Sequence, residues 1–311
     1  MNKVNKKHTR SIVYMVVCTL ILLPSCGQKT TKRKLTITLS KPAITAPLTQ
    51  QRPPITIWIH GTRFFPRRAL QEAFHGKTGL KKAAEFPDNH YLRDIAHTLF
   101  IYEPERFPFD SFYFYGWSGK LNAEIRAQTA RVLYAEIKKL VTAYKLEYGY
   151  APQIQLITHS HGGNVALNLA TVEDETPFII DTLVMLACPV QTKTMDLIGS
   201  PMFEHVYVLY SSLDIVQIIA PQLRKKHCSS KHAIKFPPFS HRRFPNHPHV
   251  TQAKIKINGR AIFHNEFNKP YFLRLLPSTL REITIWHKNA NDQPFAKNLL
   301  CLYTKYPKNI H

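Results

Sequence analysis

Near the middle of the chain a strand-like run leads into a helix-like run through a turn of small and polar residues. Gln153–Ile157 is a short apolar run of strand character, and Val165–Ala170 reads as helix. Between them stand Thr158, His159, Ser160, His161, Gly162, Gly163 and Asn164. Glycine is scarce in this chain, at 11 of 311 residues, so a Gly162-Gly163 pair at this junction is a structural instruction. Lacking a Cβ, the pair lets a helix come close to the strand behind it.

The same alternation continues on both sides. Ile55–Ile59, Phe112–Tyr115, Ile179–Leu186, His205–Tyr210 and Ala253–Ile257 read as further strands. From Leu121 to about Tyr148, apolar residues recur at helical spacing (Ile125, Ala130, Leu133, Ile137, Leu140, Val141), which gives a long amphipathic helix. Tyr271–Leu280 reads as a closing helix that Pro277 cuts short. Strands alternating with helices imply an α/β fold, a mostly parallel sheet with helices on both faces. No internal repeat is evident, and one domain from about 52 to 305 accounts for the pattern.

In this context the stretch around Ser160 resembles the G-x-S-x-G nucleophile elbow of the α/β-hydrolase superfamily, with Thr158 in place of the first glycine. The resemblance spans about residues 55–285 and implies a lipase- or esterase-like serine hydrolase. In such an elbow the strand turns sharply into the helix, and the serine sits at the apex in a strained conformation. The positions two before and two after it must be small, which Gly162 satisfies fully and Thr158 by being compact.

A serine needs a base to take its proton and an acid to orient that base. The superfamily's chain order is Ser, then Asp or Glu, then His. Between Glu204 and Glu266 the sole carboxylate is Asp214, just past the strand His205–Tyr210. Its other reading is the N-cap of a helix starting at Ile215, and Asp196 is the runner-up acid. Of the downstream histidines, His227, His232, His241, His247 and His249 fall in a basic, Pro-rich segment, and His287 lies further on. His264 follows a strand and the Asn258-Gly259 turn and precedes a helix, which makes it the expected base. The resemblance also implies an oxyanion hole of two backbone N–H groups, from His161 and from Thr62, the latter in the His60-Gly61-Thr62 loop where Gly61 lets the backbone turn inward.

Charge then says where such an enzyme works. The formal net charge is +22, which raises nucleic acid, an anionic membrane or an acidic substrate as partners. Residues 1–50 carry nine bases and no acid, residues 221–250 carry seven bases and no acid, and the remainder is nearly balanced at +6. The first segment has a basic start, the apolar run Ile12–Leu23 and then Pro24-Ser25-Cys26-Gly27. That is the layout of a secretory signal. Leu23–Cys26 resembles a bacterial lipobox, in which Cys26 would be lipidated after removal of 1–25, with an ordinary signal or an uncleaved anchor as the alternatives. Residues 26–51 then read as a tether.

Residues 221–250 form a basic, lid-like insertion in which Phe236, Phe239 and Phe244 alternate with cations, a pattern suited to an anionic phospholipid surface or to a solvated loop. The remaining cysteines, Cys188, Cys228 and Cys301, form no CxxC pair, and the histidines of 241–249 have no accompanying carboxylate. No metal, cofactor or obligate protein partner is implied, and export makes nucleic acid an improbable target. Two functions fit. One is an envelope-anchored hydrolase of acyl esters or lipids acting through Ser160, His264 and Asp214. The other is a non-catalytic envelope lipoprotein that binds anionic membrane or a partner through its insertion.

Overall fold

A computed structural model of the chain describes residues 32–38, 54–62, 78–219, 243–289 and 298–305. These all belong to the unit from Thr31 to His311; Cys26, the signal-like run and most of the basic insertion lie outside the described residues.

The strands are β1 (Lys32–Thr38), β2 (Pro54–Ile59), β3 (Gly79–Lys82), β4 (Phe112–Gly116), β5 (Gln153–His159), β6 (Ile180–Leu186), β7 (Phe203–Tyr210), β8 (Val250–Ile257), β9 (Arg260–Ala261) and β10 (Asn298–Lys305). They form one sheet in the order β1-β10-β8-β7-β6-β5-β2-β4-β3, with β9 beside β8. Every pairing is parallel except β3 with β4 and β9 with β8.

The helices are α1 (Tyr91–Tyr102), α2 (Ala123–Tyr148), α3 (Gly162–Leu167), α4 (Ile215–Ile219), α5 (Pro270–Leu273) and α6 (Leu276–Asn289). Asn122 caps α2 by accepting the Ile125 N–H at 3.0 Å, and Gly149 ends it in the left-handed region at φ 79°.

Strand periodicity sorts the core into two layers. Ile55, Ile57, Ile59, Leu156, Leu183, Met185, Val206 and Val208 face α2 and α3, where Ala130, Leu133, Ile137 and Val141 meet them. Trp58, Ile157, Val184, Leu186, Tyr207 and Leu209 face the other way, onto Leu92, Ile95 and Leu99 of α1 and onto Phe272, Leu276 and Leu280 of α5 and α6. Because both faces are covered, the central strands read as unbroken apolar runs. At about 1.5–3 kcal/mol for each fully buried large apolar side chain, these layers dominate the stability.

The structure alters several sequence expectations. Lys32–Thr38, read as tether, is an edge strand, because its alternating Leu35, Thr36, Ile37 and Thr38 pair with β10. Pro277 does not end the closing helix. It sits in the first turn of α6, where a missing N–H costs nothing, so α5 and α6 are separate. The basic insertion is shorter than expected at its C-terminal end. Phe244 is buried at 4%, its backbone N–H and C=O both bonded to the Gln252 side chain, and β8 starts at Val250. Phe244 is therefore a core residue, while Phe236 and Phe239 lie outside the described residues.

The consequence that matters most is directional. Since β2, β4, β5, β6, β7 and β8 run parallel, the loops that follow them all emerge at one edge of the sheet, where open α/β sheets place their sites.

Candidate active site

β5 runs up to His159, and Ser160 then takes φ 54°, a left-handed conformation that an ordinary residue adopts only under constraint. The constraint is visible on both sides. The Ser160 N–H donates to the Leu186 carbonyl at 2.8 Å, and its own carbonyl accepts from Gly163 N–H at 3.1 Å. A Cβ on Gly162 would stand 2.5 Å from the Ile59 oxygen, and one on Gly163 would stand 2.5 Å from Cys188 Sγ. No side chain fits at either position. Thr158 is accommodated because its buried hydroxyl donates to the Val184 carbonyl at 3.2 Å.

The loop after β2 lies directly against this turn. A Cβ on Gly61 would come within 2.6 Å of Ser160 Cβ and 3.3 Å of its Oγ. His60 holds the loop from behind. Its Nε2 accepts the Trp117 N–H at 3.2 Å, which leaves the proton on Nδ1 to donate to the Gly61 carbonyl at 2.7 Å. Trp117 Nε1 in turn donates to the His60 carbonyl at 2.8 Å. Thr62 follows, its hydroxyl buried with no hydrogen-bond partner among the described residues. His161 is the N-cap of α3 and is 4% exposed. Burial first, then the charges of Arg126 and His264, drive its imidazole down to about 3, so it is neutral at any ordinary pH.

Asp214 and His264 meet at the same edge. His264 Nδ1 lies 2.9 Å from both Asp214 oxygens, and Asp214 is fully buried. Oδ1 also accepts the Gln217 N–H at 2.9 Å, so this carboxylate both caps α4 and engages the imidazole. The two sequence readings of Asp214 are compatible. Asp196 is exposed and lies in the 3-10 turn Met195–Gly199.

Residues that drew no attention in the sequence hold His264 in place. Glu266 accepts from Phe263 N–H at 2.5 Å, from Arg260 at 3.0 and 2.6 Å, and from the Tyr271 hydroxyl. Burial alone would raise its pKa, but the bonds from Arg260, Tyr271 and Phe263 more than offset this and hold it at about 2. Ser211 Oγ accepts the Ile262 N–H at 2.9 Å, joining the loop after β7 to the loop after β9. On the elbow side, the His159 ring lies 4.7 Å from the His264 ring, its Nε2 bonding the His264 carbonyl at 3.0 Å and its Nδ1 accepting from Asn268 at 3.0 Å. His264 is thus braced against the residue before Ser160. A sequence signal exists only for His159, by adjacency; Asn268 and Trp117 act through contacts distant along the chain, and Glu266 through bonds that form only when its own loop closes.

The model of the PGAP1-like alpha/beta domain family matches residues 112–215, from β4 through the elbow to the residue after Asp214. The fold is that of an α/β-hydrolase. Among solved structures, the siderophore hydrolase EstB from Aspergillus fumigatus is similar at 17% identity and a TM-score of 0.29, over 47% of this chain and 38% of its own. Esterase PE8 is similar at 13% identity and a TM-score of 0.36, over 79% of this chain and 100% of its own. No curated protein sequence matches the chain. Because α/β-hydrolase folds host many chemistries, the substrate has to be argued from the site.

Proposed function

We propose that this α/β-hydrolase is a serine hydrolase that cleaves carboxylic esters. The observation that carries the reading is the buried Asp214 carboxylate bound to His264 Nδ1 at the sheet edge that presents the strained Ser160. Ser160 Oγ attacks the acyl carbon, and His264 takes its proton on Nε2 and returns it to the leaving alcohol. Asp214 keeps the imidazole proton on Nδ1 and stabilises the imidazolium. Water then repeats the sequence on the acyl-enzyme. Backbone N–H groups of His161 and Thr62, next to the inward-turned Gly61, receive the oxyanion; one such donor is worth about 3–4 kcal/mol.

Exposed Leu213, Ile215, Val216 and Phe263 flank Asp214 and His264 and favour an ester with an apolar portion. The basic, apolar and Cys26-bearing N-terminus supports attachment at the cell envelope, and the bases of the insertion support an anionic membrane surface as the place of work. The test is labelling of the folded full chain by a fluorophosphonate together with turnover of para-nitrophenyl acyl esters of graded length. Both are expected in the wild type and lost in Ser160→Ala. A wild type that neither labels nor turns over would leave the non-catalytic lipoprotein as the better reading.

A further inference from the structure

Arg126 interrupts the buried stripe of α2. Its neighbours on that stripe are Ala123, Ala130, Leu133, Tyr134, Ile137 and Val141, yet the arginine itself is only 3% exposed. Its Nε is buried without a partner, and no hydrogen bond or ion pair reaches the guanidinium from the described residues. A half-buried arginine provides the contrast: Arg106 Nε donates to Gln155 Oε1 at 3.0 Å. A cation removed from water needs a counter-charge or a set of acceptors, and the described residues offer Arg126 neither.

Its position says where the missing partner goes. Arg126 is in the first turn of α2, which follows β4 at the carboxyl edge of the sheet, and α2 packs on α3, the helix that Ser160 leads into. The guanidinium is close enough to act electrostatically on the His161 ring and the Cys188 thiol. Neither supplies a negative charge, since burial drives the histidine toward its neutral form and the thiol away from thiolate. Among the described residues, the nearby carboxylates are committed elsewhere. Glu124 is surface-exposed and paired with Lys193 at 3.1 Å, and Asp214 is bound to His264 and Gln217. A buried guanidinium fork near His161, the residue after the nucleophile, is matched to the two oxygens of a carboxylate or phosphate.

We propose that Arg126 is an anion subsite beside Ser160, and that the enzyme acts on esters carrying a carboxylate or phosphate near the scissile acyl group. The proposal rests on the serine-hydrolase reading for its chemistry, but anion binding at Arg126 can be measured without it. The charge sits on the acyl side in para-nitrophenyl hydrogen succinate and on the leaving side in para-acetoxybenzoate and para-acetoxyphenyl phosphate. Each is compared with its uncharged methyl or dimethyl ester on the full chain. The wild type is expected to prefer the anionic member of at least one pair by about 10- to 100-fold in kcat/KM, the range of a hydrogen bond to a charged group. The pair that shows the preference identifies the side and type of anion. That ratio should collapse toward one in Arg126→Met and be partly restored in Arg126→Lys.

A binding arm uses phenyl phosphate and benzoate, followed by calorimetry and by protection of Ser160 from the fluorophosphonate. Ethyl benzoate serves as the uncharged control. Turnover without anion preference in the wild type, or a preference that survives in Arg126→Met, overturns the anion subsite and leaves the hydrolase standing. Arg126-dependent binding of phenyl phosphate without any turnover or labelling overturns the hydrolase and leaves the subsite standing. If Arg126→Met fails to fold, the wild-type ratios and the protection by phenyl phosphate against ethyl benzoate decide the matter.

Discussion

On the Ser160 side of the site, the chain is sterically crowded: Gly162 lies against backbone, Gly61 against Ser160 and Gly163 against the Cys188 and Met185 side chains, none leaves room for a Cβ, and Ser160 takes φ 54°. The His264 side is held differently. Asp214, Glu266, Arg260, Tyr271, Ser211 and Asn268 hold the imidazole and its loop through hydrogen bonds and charge. The first side is rigid because atoms would collide, and its strain is stored by packing. The second is precise because polar groups are mutually satisfied, so single deletions there should disturb geometry more than the fold.

Substitutions can break that contrast, and the largest effects should come from the reacting groups. Ser160→Ala should remove ester turnover and fluorophosphonate labelling, a loss of about 10⁴-fold or more, while circular dichroism remains native. Asp214→Asn should cost about 10⁴-fold in kcat by presenting the wrong imidazole tautomer, read from steady-state kinetics. Glu266→Gln comes next. It should lower kcat by roughly ten- to a hundredfold by loosening the His264 loop, with KM for a neutral ester little changed.

Gly162→Ala should behave in the opposite way to Glu266→Gln. Its new Cβ meets backbone oxygens of Ile59 and His60, so the urea midpoint should fall by the equivalent of about 1–3 kcal/mol. If Gly162→Ala leaves stability intact, or if Glu266→Gln unfolds the protein without slowing it, the division between a steric and an electrostatic half is wrong.

The smallest effect is that of pH. Unfolded, His161 takes a proton near its ordinary value of 6.5; folded, it does so only near 3. Between those values unfolding binds a proton, so stability present above pH 6.5 is lost as the pH falls, by at most about 1.4 kcal/mol per unit. Urea titrations at pH 6.5 and 5.5 should show the drop, and His161→Gln should flatten it.

Some of this was legible in the chain. The strand–Ser160–helix junction could be read because its requirements are local: small residues at fixed offsets and a change of apolar period from two to 3.6. Asp214 and His264 could be nominated from chain order and from the scarcity of carboxylates. The brace around His264 could not, since Glu266 and Tyr271 look like ordinary surface residues until the loop closes on itself. Phe244 reads as exposed beside Arg242 and Arg243, whereas its ring joins the core layer and its backbone is bonded to the Gln252 side chain. Pro277 was misread as a stop because the break between α5 and α6 at Arg274–Leu275 has no signal of its own.

The amino-acid sequence by itself determined an alternating α/β chain with a serine at a tight strand-to-helix turn, because periodicity and steric size act between near neighbours. Only the tertiary structure decided that Asp214 reaches His264, that Glu266 and His159 hold that histidine in place, and that Arg126 is buried without a partner among the described residues. Those facts depend on which loops the parallel strands bring to one edge, and on which polar groups are left unsatisfied once water has gone.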